Sequence, residues 1–132
     1  MSEFKTCLEV RLLPENNGGP RWQLVAPLVY SSEVMGCDIP VPGGFITDFV
    51  SFALLKNVGH RASVIHDYLY SCSDVAREMA DKVLCEALAC TGVDEELRDA
   101  MYEAVRLFGG GHKESIYQFY KEGDDGSNNA AP

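Results

Sequence analysis

Residues 60–72 read HRASVIHDYLYSC, and their spacing decides where the strands of this chain end and its helices begin. Ala62, Ile65, Leu69 and Cys72 recur at three- and four-residue intervals, with Tyr68 beside them, which predicts one helix of about three turns. On a wheel of ~100° per residue, His66 takes one shoulder of the apolar side. Ser63, Asp67 and Tyr70 continue around a polar arc. The next stretch, SDVAREMADKVLCEALACTG (73–92), predicts a second helix, with Ser73 or Asp74 as its N-cap and Gly92 as its stop. VDEELRDAMYEAVRLFGGG (93–111) predicts a third. Asp94 is its cap, Glu95 and Glu96 stand in the positive first turn, and Leu97, Met101, Ala104, Val105 and Phe108 form one stripe ended by Gly109. HKESIYQFYKEG (112–123) suits a short fourth helix.

Upstream the period changes. In FKTCLEVRLL (4–13), Phe4, Thr6, Leu8, Val10 and Leu12 alternate with Lys5, Cys7, Glu9 and Arg11, a pattern for one half-buried strand. PENNGGP (14–20) is a turn on any reading. RWQLVAPLVYSS (21–32) suits the returning strand, with Pro27 pushing it toward a sheet edge or a bulge. CDIPVPGGF (37–45) is expected to be extended and irregular, and FITDFVSF (45–52) a last short strand or a structured loop. The fold class is therefore α+β: a small N-terminal antiparallel sheet, then three or four helices. Residues 1–122 are expected to form a single domain and 123–132 a flexible tail.

The bulk properties narrow the function classes. The chain has 132 residues and a formal charge of −9, which disfavours binding to nucleic acid or to an anionic membrane. No apolar run approaches the ~18 residues of a transmembrane helix. Cys7, Cys37, Cys72, Cys85 and Cys90 form no CxxC or zinc pattern. That odd number, with no N-terminal signal segment, fits a reduced, cytoplasmic setting. Cys72 and Cys85 fall in helical patterns and are expected in the core. His60 and His112 read as surface or capping residues.

One constellation has chemical content. His66 lies ~10 Å before the turn near Ser73 and Asp81 ~12 Å after it, at ~1.5 Å per residue. The two side chains then stand level across a helix pair. A carboxylate accepting one imidazole N–H fixes the tautomer and leaves the other nitrogen as a general base. Asp67 points elsewhere, toward the segment VPGGFITD (41–48), whose carbonyls at Gly43 and Gly44 and whose Asp48 can join it around calcium or magnesium. The plainer readings stand beside this one. A histidine at the edge of an apolar face is commonly a packed, satisfied residue, and Asp67 a solvated one. Asp81 can pair with Lys82, Arg77 or a tyrosine hydroxyl, and Asp48 can bond its own turn.

IPVPGGFITDFVS, ASVIHDYLY, ADKVLCEAL and MYEAVRLFG, in that order, resemble a family of small bacteriophage and prophage proteins catalogued as a domain of unknown function. The resemblance implies a phage context and no established activity. Ala53 and Leu54 stand where that family commonly has Pro-Arg. A more distant resemblance is to the calcium-dependent phospholipases of the A-two class, through His66, Asp67 and Tyr70 in the first helix, Asp81 in the second, and Tyr102, Val105, Arg106, Phe108 and Gly109 in the third. It implies a catalytic set of His66, Asp81 and Tyr70, with calcium on Asp67 and a lipid or other ester as substrate. The disulfide framework and calcium loop of those enzymes are not matched; Ser63 and Val64 precede the pair where they carry cysteine. The competing expectation is a non-enzymatic virion, assembly or host-interaction protein, held by a phage or host protein partner, in which the His-Asp helix is a structural anchor.

Overall fold

The computed structural model describes residues 1–14, 21–47, 59–107 and 109. Six short strands form two three-stranded antiparallel sheets. The first sheet has the order β1 (Glu3–Phe4), β4 (Leu28–Ser32), β5 (Cys37–Val41). The second has the order β2 (Val10–Leu12), β3 (Trp22–Leu24), β6 (Ile46–Thr47). Helices α1 (His60–Ser71) and α2 (Arg77–Cys90) follow, then a third helix, α3, over residues 95–107. The α+β class and its order are as the sequence indicates.

Each long strand expected from the alternation is in fact two strands in different sheets. Phe4 pairs with Tyr30 in one sheet, while Val10 pairs with Leu24 in the other. Between them Thr6 takes over ladder positions: its hydroxyl donates to the Pro27 carbonyl at 3.3 Å and accepts the Val29 N–H at 3.0 Å. The returning segment breaks at Val25–Pro27, as a proline without an N–H requires. The alternation also slips at its end, where Leu12 is exposed and Leu13 buried.

Residues 37–41 are not irregular. They form a regular strand whose register runs from Ser32↔Cys37 to Leu28↔Val41. Pro40 is accommodated because β5 is an edge strand, so its missing N–H breaks no second ladder. Ile39 and Val41 face inward and are buried.

The core lies between the first sheet and the helix pair. Leu28, Tyr30, Ile39 and Val41 meet Ile65 and Leu69 of α1, Leu84 and Leu88 of α2, and Met101 and Val105 of α3. The second helix starts at Arg77, with Ala76 at its N-cap, two or three residues after the expected Asp74 or Ser73, and no side-chain cap bond. The Asp94 cap is present: Leu97 N–H donates to Asp94 Oδ1 at 3.0 Å. Gly92 has φ of 85°, the left-handed conformation that stops α2. Gly109 is still helical and buried. Cys72 and Cys85 are half-buried, not core residues, and all five cysteines are free. Among the described residues, no helix is long and apolar enough to cross a membrane. His112, the expected fourth helix and the tail lie outside the described residues.

Candidate functional site: a buried carboxylate between three helices

The polar arc of α1 is buried. Ser63, His66 and Tyr70 are fully buried and Asp67 nearly so, because α2, α3 and β6 pack around this helix. A helix enclosed on most sides must satisfy its polar groups internally. The bonds of His66 and Asp67 to different elements show how this is done.

His66 Nε2 lies 2.8 Å from Asp81 Oδ1, across the hairpin of α1 and α2. The Tyr70 hydroxyl, one turn along α1, donates to the same oxygen at 2.5 Å. The other oxygen, Oδ2, accepts from Arg106 Nη1 at 2.9 Å, and Arg77 Nη1 stands 3.9 Å away. Arg77 chiefly closes the end of α3, donating to the carbonyls of Val105 at 2.8 Å and Arg106 at 3.2 Å. The rings of His66 and Tyr70 are 4.1 Å apart between centroids.

Burial pushes the Asp81 carboxyl upward, but the hydrogen bonds from His66, Tyr70 and Arg106 outweigh it, so the group is held below the usual carboxylate range. Asp81 is thus an anion that can only accept. It follows that His66 Nε2 carries the proton, and in the neutral ring Nδ1 holds the lone pair. Burial, then the bond to Asp81, push the Tyr70 phenol well above its ordinary value. It stays a proton donor at every physiological pH.

Asp67 turns the other way. Its Oδ2 accepts the hydroxyl of Thr47 in β6 at 2.6 Å, joining α1 to the second sheet. Gly44 is bonded to β3: its N–H donates to the Leu24 carbonyl at 2.8 Å and its carbonyl accepts Gln23 Nε2 at 3.2 Å. Gly43 packs in ordinary contact over Ala26. Asp48 lies outside the described residues. Calcium asks for six to eight oxygens. Among the described residues no group of three His, Cys, Asp or Glu side chains converges on one point, and the Thr47 hydroxyl directs its proton to Asp67.

Three partners escaped the sequence reading. Arg106 lies beside the apolar stripe of α3, and only the closeness of α3 to α2 makes it a partner of Asp81. Thr47 reads as a β residue with no visible tie to Asp67. Glu86, on α2, gathers the hydroxyls of Ser2, Tyr30 and Ser32 and the N–H groups of Glu33 and Val34 at 2.7–3.0 Å. Its only sequence signal is a carboxylate about one helical turn after the core position Val83.

Residues 22–105, well over half the chain, match the family described as Protein of unknown function (DUF1353). No curated protein and no solved structure matches the chain.

Proposed function

We propose that this chain, which belongs to the DUF1353 family, carries a hydrolase-like site in which His66 is the general base and Asp81 fixes its tautomer. The observation that carries this reading is the 2.8 Å contact of His66 Nε2 with an ionised Asp81 whose remaining lone pairs are taken by Tyr70 and Arg106. Such a carboxylate presents Nδ1 as the acceptor, the nitrogen able to take a proton from water as that water attacks an acyl carbon. Protonated His66 then returns the proton to the leaving alcohol. Tyr70 supports the pair through Asp81. The substrate class we favour is a lipid or another ester, through the resemblance to the A-two phospholipases. Calcium on Asp67 belongs to the same proposal, and no step above is routed through it. We place the protein in a phage or prophage context, acting in the cytoplasm of a bacterial host or carried in the virion.

A second reading is favoured by one observation: His66, Tyr70 and Asp81 are fully buried. On that reading the network is an anchor joining α1, α2 and α3, in a virion, assembly or host-interaction protein with a phage or host protein partner. Hydrolysis of phosphatidylcholine vesicles and of a soluble nitrophenyl ester, with calcium and with chelator, separates the two. The hydrolase reading expects release of fatty acid or nitrophenol by the wild type, with calcium dependence lost in Asp67→Asn. No turnover of either substrate under either condition leaves the anchor.

A further inference from the structure

We infer that Arg106 is a positioning residue for the His66–Asp81 pair, acting from α3 through the far oxygen of the carboxylate. Its consequence for catalysis rests on the hydrolase-like reading; its geometry does not. A carboxylate has two equivalent oxygens, and rotation about its Cβ–Cγ bond exchanges them unless each is held by a different donor. Here Oδ1 takes His66 Nε2 at 2.8 Å and Tyr70 at 2.5 Å, and Oδ2 takes Arg106 at 2.9 Å. The guanidinium thereby fixes the rotation that aims Oδ1 at the ring. It also holds the carboxylate in its charged form, so that Asp81 does not draw the proton off Nε2.

Arg77 is not equivalent, although it is the helical neighbour of Asp81. It stands 3.9 Å from Oδ2, and its Nη1 is committed to the Val105 and Arg106 carbonyls. Its part is to hold the turn of α3 from which Arg106 projects. Two further features fit a close seating of that turn. A Cβ at Gly109 would lie 2.5 Å from the Tyr70 hydroxyl and 3.4 Å from Arg77 Nη1, so only glycine leaves room there. Arg106 is 31% exposed while Asp81 is fully buried, so the guanidinium reaches inward from the surface of the network. The end of α3 thus acts on His66 through one carboxylate.

The test is histidine-ring ¹⁵N NMR of the full chain for wild type, Arg106→Lys, Arg106→Gln and Arg106→Met. His66→Gln assigns the resonance, and ester turnover is measured on the same samples. Wild type is expected to show one protected Nε2–H tautomer. Arg106→Met is expected to give mixed tautomers and rapid exchange of that proton, which Arg106→Lys restores at least in part. Turnover should fall about tenfold or more in the Met variant, the scale on which a supporting residue acts. If Arg106→Met does not fold, the Gln variant replaces it. A tautomer that follows Arg106 in a chain without ester turnover upholds the inference and removes the hydrolase reading. An unchanged tautomer and exchange rate in a folded Met or Gln variant overturns the inference, whether or not esters are turned over.

Discussion

At the scale of single residues, the buried polar groups of α1 and its neighbours differ in how many partners they have among the described residues. Asp81 is answered on both oxygens. Removing its charge in Asp81→Asn leaves Arg106 and Tyr70 facing an amide that must also donate. We expect a loss of about 3 kcal/mol in denaturant unfolding, at the low end for a broken buried pair because Arg106 can turn toward water. A loss below about 1 kcal/mol would show that the network is not the anchor its burial implies. Ser63, one turn before His66, is the opposite case. Its hydroxyl is fully buried and makes no hydrogen bond among the described residues. A buried hydroxyl without a partner contributes nothing to offset its desolvation. Ser63→Ala should therefore unfold at the same denaturant concentration as wild type or a higher one, and a clear decrease would reveal a partner for Ser63.

At the scale of elements, the fit of α3 over α1 depends on the absence of a side chain at Gly109. The Tyr70 ring cannot retreat without leaving Asp81, so Gly109→Ala must displace one of two held groups. A cost of about 1–3 kcal/mol is expected, the usual range for overpacking. Circular dichroism melting of the variant against wild type checks it, and an unchanged melting temperature would mean the turn seats further out. The helix boundaries of α1, the cap at Asp94 and the level of His66 with Asp81 all follow from a 3.6-residue period, which is local. The division of FKTCLEVRLL between two sheets does not, since Phe4 and Val10 keep the right parity for one strand while pairing with strands of different sheets. The burial of the polar arc of α1 is not legible for a related reason. A helical wheel shows where polar residues cluster, but only the packing of α3 and β6 determines whether water reaches them.

At the scale of the whole molecule, two carboxylates with several hydrogen bonds each tie elements together, and both bear on its behaviour in acid. Asp81 joins three helices, and Glu86 joins α2 to the β4–β5 turn and to Ser2. Burial works against the charge of Glu86, and the bonds from Ser2, Ser32, Val34 and Tyr30 outweigh it, so its carboxyl also lies below the ordinary range. A depressed carboxyl binds protons less readily in the folded state than in the unfolded one. Its stabilisation is complete above the unfolded range, about pH 4, and is lost as pH falls through the lower folded values. Acid titration followed by tryptophan fluorescence should show stability falling steeply below about pH 4. The slope should be shallower in Glu86→Gln and in Asp81→Asn. Equal slopes in all three would mean that neither carboxyl is depressed.

The central claim is that the three helices hold His66 for proton transfer and not merely for packing. The most direct test is the initial rate of ester hydrolysis by wild type and His66→Gln, each first shown to be folded by circular dichroism. The account predicts measurable turnover by the wild type and a fall of about 10²–10⁴-fold in the variant, the span of general-base catalysis. Equal rates in two folded proteins, or no turnover by the wild type, would contradict it.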